Sequence, residues 1–151
     1  MDNPYATAPL SRDTESHDFQ FRLVELRPNS ASDRITCQLQ THVLDQVCPA
    51  YIALSYTWGP KEKSESLDLN GVPFPVGCSL WSFLEQMRLR GQYGTYWIDA
   101  ICIDQDNVLE RNHQVQMMQN IYSNAQSVAV WLGEDDDTRS IGIAILCRPV
   151  L

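Results

Sequence analysis

The segment Tyr96 to Gln105, Y-W-I-D-A-I-C-I-D-Q, constrains the fold more tightly than any other part of the chain. Trp97, Ile98, Ala100, Ile101, Cys102 and Ile103 are almost continuously apolar, so neither face of an extended segment here could rest in water. The run is short, β-branched and aromatic. Gly94 bounds it upstream and the polar cluster Asp104-Gln105-Asp106-Asn107 downstream, a pattern that predicts a central buried strand. In a parallel sheet, Asp99, Asp104 and Gln105 would lie within or just beyond its carboxyl-terminal half, where open α/β sheets place their ligand crevices.

Tyr51 to Trp58, Y-I-A-L-S-Y-T-W, reads as a second buried strand stopped by Gly59-Pro60, and Ser127 to Leu132 as a third, ended by Gly133. Upstream, Phe19 to Leu26 and Ile35 to Leu44 alternate apolar with polar residues, as half-buried strands do; Pro28-Asn29-Ser30 between them predicts an antiparallel ribbon at one edge of the fold. Asn70-Gly71, between Leu67/Leu69 and Val72/Phe74/Val76, is a type I′ hairpin signature, and Pro73 and Pro75 confine that hairpin to a sheet edge. Leu80, Phe83, Leu84 and Met87 are spaced i, i+3, i+4, i+7, with Ser79 as cap and Gly91 as stop, and predict a helix. A second helix starts near Val108, with Val115, Met118, Ile121, Tyr122 and Ala125 on one face. Glu134 to Asp137 reads as an acidic loop or the N-terminus of a last helix, and the Ser140 to Leu151 stretch is too short and too apolar all round to settle a period. From Tyr51 onward the alternation of strands and helices predicts a three-layer α/β sandwich with a mostly parallel central sheet.

At 151 residues the chain suits one domain, and its 44% hydrophobic and 20% charged composition is that of a globular protein. No window approaches the roughly 18 apolar residues of a membrane span, so no membrane insertion of this chain alone is expected. The net charge of −8 with 11 scattered Lys and Arg argues against a nucleic-acid partner. Met1 to Asp18 is polar, lacks the apolar core of a secretory signal and is expected to be disordered, which implies cytoplasmic or nuclear residence. The 5 cysteines form no C-x-x-C pair, and Cys102 within its apolar run reads as a packing thiol. His17, His42 and His113 are dispersed, so no metal is expected. Phosphate-loop, G-x-G-x-x-G and G-x-S-x-G motifs are absent.

The candidate site residues gather around the predicted rim. Asp99, inside an apolar run, requires a partner, which Arg111 or the Tyr56 hydroxyl could supply. Trp58 and Gly59 end the neighbouring strand, where an indole could stack a base and a glycine admit a phosphate, although a core tryptophan before a turn is the plainer reading. Glu110 and Arg111 open a helix beside the rim and could hold a nucleotide or a switch contact; Asn107 and Glu110 also have the spacing of a capping box, and Arg111 could pair with Asp104 or Asp106. Gln114 follows on the same helix.

L-S-Y-T-W-G at Leu54 to Gly59, W-I-D-A-I-C-I-D-Q at Trp97 to Gln105, E-R-x-x-Q-V-x-x-M at Glu110 to Met118, I-Y at Ile121 and Tyr122, and W-L-G at Trp131 to Gly133 together resemble the heterokaryon-incompatibility (HET) domain of filamentous fungi. The resemblance covers residues 19–133, leaving 134–151 as an acidic loop and a truncated C-terminal segment. It implies a cytoplasmic effector of non-self recognition that triggers programmed cell death, through self-association or a sensor or effector protein partner, with no cofactor required. It also implies a distant likeness to the TIR domains, with their flavodoxin-like fold, some of which cleave NAD with a glutamate on a late helix. On that second reading NAD would be a substrate, Asp99, Glu110 and Arg111 would line its pocket, and the catalytic glutamate would be Glu110 or Glu134, the helix that carries it in TIR domains being missing here.

Overall fold

The computed structural model describes residues 3–10, 19–28, 34–44, 48–59, 61–134 and 141–147. Most of the backbone polar groups in its interior are paired in one 8-stranded sheet of order β5-β4-β2-β1-β6-β3-β7-β8. The strands are β1 Gln20–Arg27, β2 Thr36–Val43, β3 Ile52–Tyr56, β4 Glu65–Leu69, β5 Val72–Val76, β6 Thr95–Trp97, β7 Ser127–Glu134 and β8 Ile141–Cys147. The helices are α1 Cys78–Leu89, α2 Asp99–Cys102 and α3 Val108–Asn124, preceded by a 3-10 turn at Pro4–Thr7.

The two apolar segments expected side by side do pair: β3 and β6 run parallel, with Ile52 opposite Tyr96 and Ala53 opposite Trp97. β7 flanks β3 in parallel on the other side. The remainder corrects the expected mostly parallel sheet. β1 is antiparallel to both β2 and β6, β4 to β5 and β7 to β8, so the sheet is mixed. The physical reason is the connectivity. Only βαβ crossovers force parallel neighbours, and the chain makes them only from Tyr51 onward; the N-terminal strands and the hairpin turn back directly. The ribbon β1–β2 is antiparallel, as expected, but lies inside the sheet, because β4 adds in parallel to the outer side of β2.

The hairpin β4–β5 occupies the sheet edge, where the prolines of β5 forfeit no ladder bond. Its turn has Asn70 at φ 53° and Gly71 at φ 81°, the left-handed pair a type I′ turn needs. The Asn70 side chain also acts as an extra strand residue for β2: its Oδ1 accepts from the Leu39 N–H at 2.7 Å and its Nδ2 donates to the Leu39 carbonyl at 3.2 Å.

Helix α1 buries Leu80, Phe83, Leu84 and Met87, the four positions marked by its spacing; Ser79 falls inside it and Gly77 is the N-cap. Phe83 meets Tyr96 and Trp131 edge-on, whereas Tyr122 of α3 meets Trp97. The Tyr51 hydroxyl donates to the Ile121 carbonyl and the Tyr122 hydroxyl to the Leu54 carbonyl, which ties α3 to β3.

Three expectations need revision. The run Trp97 to Ile103 is not one strand. β6 ends at Trp97, and the chain turns into α2, because Ile98, Ile101 and Cys102 have i, i+3, i+4 spacing and bury one helical face, each at 0% exposure. Residues 3–10, expected to be disordered, contain a docked 3-10 turn with Asn3 as N-cap and Pro4 in its first turn. The stretch after the acidic run forms strand β8 rather than a helix. The Pro28-Asn29-Ser30 turn beyond Pro28, Pro60, and residues 135–140 of the acidic loop lie outside the described residues.

Candidate functional site

The carboxyl ends of β3 and β6 lie side by side, and from them the chain delivers Trp58 and Asp99 to a common rim. The Trp58 indole Nε1–H donates to Asp99 Oδ2 at 3.3 Å, and the Ala100 N–H donates to Asp99 Oδ1 at 2.8 Å. Asp99 thus finds its partners in an indole and a backbone amide, not in Arg111 or in a bond from the Tyr56 hydroxyl. No cation neutralises it among the described ion pairs. Burial lifts its carboxyl above the usual aspartate value, and its hydrogen bonds to the Ala100 amide, the Trp58 indole and its own backbone offset that only in part.

Tyr56 and Tyr122 share this environment. Burial raises both hydroxyls, Tyr122 to about 12, and the nearby Asp99 carboxylate adds to each effect. Trp58 keeps 46% of its surface in water. The rim is therefore one desolvated carboxyl group edged by two tyrosines and an open indole. Such a surface can take an aromatic or cationic group against the indole and exchange a proton at Asp99. Gly59 has φ at 73°, and nothing lies within 4 Å of where a side chain would start.

Gln105 and Asp104 shape the connection from α2 to α3. Gln105 Nε2 donates to the Asp99 carbonyl at 2.9 Å. Asp104 Oδ1 accepts from the Asp106 N–H at 3.2 Å. Asn107 caps α3, its Oδ1 accepting from the Glu110 N–H at 3.1 Å. The Glu110 carboxylate does not reach back to Asn107 as a full capping box would: Oε2 accepts from the Asp104 N–H and Oε1 meets Arg22 at 2.6 Å.

Arg22 is the residue that sequence reasoning missed. It sits at a position of β1 that the alternation assigns to solvent, yet it is 2% exposed. Its guanidinium donates to the Ala8 carbonyl at 2.6 Å, to the Cys102 carbonyl at 3.1 Å and to Glu110, with the Tyr5 ring 4.7 Å from its centre. The pair is a buried fastening between β1, α2 and α3. No spacing in the sequence links Arg22 to Glu110, 88 residues away.

Arg111 and Gln114 do not join the rim. Arg111 is exposed and carries no ion pair among those described. Gln114 is fully buried between α3 and β1, its Nε2 donating to the Gln20 carbonyl at 2.9 Å while Oε1 has no protein partner. The backbone of Glu134 pairs with Ile141 at the end of β7. Among the described residues no group of three His, Cys, Asp or Glu is placed to hold a metal ion. Burial pushes the Cys102 thiol up to about 12, consistent with a packing role. No helix of the described residues is long and apolar enough to cross a membrane.

The geometry defines a mixed α/β domain whose polar residues meet at the carboxyl ends of two central parallel strands. Residues 51–147 match the family described as Heterokaryon incompatibility protein (HET), and the chain belongs to that family. It is similar to heterokaryon incompatibility protein 6, OR allele, of Neurospora crassa, at 35% identity over 89% of this chain. The chain spans 22% of that relative's length. No solved structure matches it.

Proposed function

We propose that the chain is the HET-domain effector part of a fungal non-self recognition system, acting in the cytoplasm to trigger programmed cell death when a sensor or effector protein, or a second copy, engages its rim. The observation that carries this reading is the family match over residues 51–147, which contains every rim residue from Tyr56 to Tyr122. The relative's role in incompatibility points the same way. The structure adds a supporting argument. Its most buried acid–base pair, Arg22 and Glu110, is taken up by contacts to each other and to backbone groups, whereas Trp58, Val108, Leu109 and Val115 stay substantially exposed, so the surface offers contacts more readily than an assembled catalytic pair. We read α1 and α3 as outer layers over opposite faces of the sheet, since Tyr96 and Trp97 are successive strand residues and meet different helices. No cofactor is needed on this account.

One observation favours the second reading, a TIR-like NAD glycohydrolase. Asp99 is a carboxyl group with a raised pKa beside an open indole, the kind of environment in which substrate-facing acids occur. The two readings separate in one experiment. The chain is expressed from a regulated promoter in fungal hyphae, scoring cell death, and the purified protein is incubated at high concentration with NAD, following nicotinamide release. Death without turnover supports the effector reading. Turnover abolished by Asp99→Asn or Glu110→Gln would replace it with the enzymatic one, and neither death nor turnover would contradict both.

A further inference from the structure

The rim is held from behind by the N-terminus. Helix α2 has only four residues, too few to stand alone, and its internal bonds are the Ile101 and Cys102 N–H groups to the Ile98 carbonyl and the Ile103 N–H to the Asp99 carbonyl. What fixes its far end comes from outside. The Tyr5 hydroxyl lies 2.9 Å from the Ile101 carbonyl and 3.2 Å from the Ile103 carbonyl, and Arg22 takes the Cys102 carbonyl at 3.1 Å. Arg22 in turn is oriented by the Ala8 carbonyl and the Tyr5 ring. On its other side the N-terminal strap is fastened to the hairpin and β2: Asn70 Nδ2 donates to Thr7 Oγ1 at 2.7 Å, Thr41 Oγ1 donates to the Pro9 carbonyl at 2.9 Å, and the Tyr5 and Phe74 rings meet edge-on.

These contacts form an unbroken chain from strap to rim. Tyr5 holds the last carbonyls of α2, and the first residue of α2 is Asp99, which holds the Trp58 indole. We infer that residues 3–9 are a latch: docked, they lock α2 and with it the Asp99–Trp58 contact; undocked, they give up the Tyr5 hold on the Ile101 and Ile103 carbonyls, leave the far end of α2 fastened through Arg22 alone, and so loosen the rim to rearrange around a partner. Undocking also removes two of the groups around Arg22 while leaving Glu110 and Cys102 in place, so β1 and α3 stay joined and the release is local. The latch does not depend on which activity the rim carries.

The test is hydrogen exchange on the full chain, comparing wild type, Tyr5→Phe and Trp58→Phe. Tyr5→Phe keeps the ring and deletes the hydroxyl. It should speed exchange of the Ile101, Cys102 and Ile103 amides and of the Trp58 indole N–H by roughly three- to tenfold, the effect of losing about one hydrogen bond, while α1 and the β3–β7 ladder exchange as before. Coupling is reciprocal, so Trp58→Phe at the rim should speed the Ala6 and Ala8 amides of the strap. If Tyr5→Phe compromises folding, Thr7→Val, which removes the fastening to Asn70 and the strap's own bond from the Thr7 hydroxyl to the Pro4 carbonyl but leaves Tyr5 intact, should give the same pattern at smaller amplitude. Acceleration confined to residues 3–9, or spread uniformly over the sheet, would overturn the latch.

Discussion

Arg22 and Glu110 show how much one buried pair can decide. Both side chains are nearly out of water, 2% and 11% exposed, and each also bonds backbone, so removing one leaves the other a buried, uncompensated charge. Arg22→Ala should therefore cost about 3–5 kcal/mol, and Glu110→Gln less, because the amide can still accept from Arg22. Urea denaturation measures both, and unchanged midpoints would refute the fastening. Asp99 makes the opposite prediction. Its folded pKa lies above the 3.8 of a free aspartate. Between those two values the folded chain holds the proton that the unfolded chain has lost, so stability falls as pH rises through that window and stays lower above it. Asp99→Asn keeps an acceptor for Ala100 or Trp58 and cannot ionise. It should flatten that part of the pH–stability curve and leave the protein at least as stable at neutral pH; a steeper curve would mean that the carboxylate is stabilised by a charge partner after all.

The elements that local chemistry specifies were legible, and those that depend on distant partners were not. Helix α1 followed from four apolar positions at helical spacing, and the hairpin from Asn70-Gly71 between alternating strands. The run Trp97 to Ile103 misled because continuous apolarity fits a strand covered on both faces and a short buried helix equally well. The i, i+3, i+4 placement of Ile98, Ile101 and Cys102 was in the sequence, but only packing decided for it. The rim pairing of Trp58 with Asp99 was partly visible, as two polar or aromatic residues ending adjacent strands, whereas Arg111 pointed elsewhere and the strap looked like a polar tail. Asn70 carries more than its turn. Asn70→Ala removes two bonds to Leu39, one to Thr7, and a residue type suited to positive φ, so a loss of about 2–3 kcal/mol is expected by thermal or chemical denaturation. Asn70→Gly, which keeps the backbone freedom alone, should recover only part of that loss. Full recovery would mean that the side chain does not extend β2.

At the scale of the molecule, a single mixed sheet places an open indole and a desolvated carboxyl group at one rim, buries the Arg22–Glu110 pair beside it, and straps the arrangement with residues 3–9. The account stands on that rim being the surface through which a HET domain acts. Cell death on regulated expression in hyphae, scored for wild type, Trp58→Ala and the control Leu89→Ala, measures this most directly, since Leu89 is exposed at the end of α1 and belongs to no part of the rim. The account predicts that Trp58→Ala abolishes killing at unchanged protein level while Leu89→Ala kills like wild type. Killing that survives loss of the indole would contradict it.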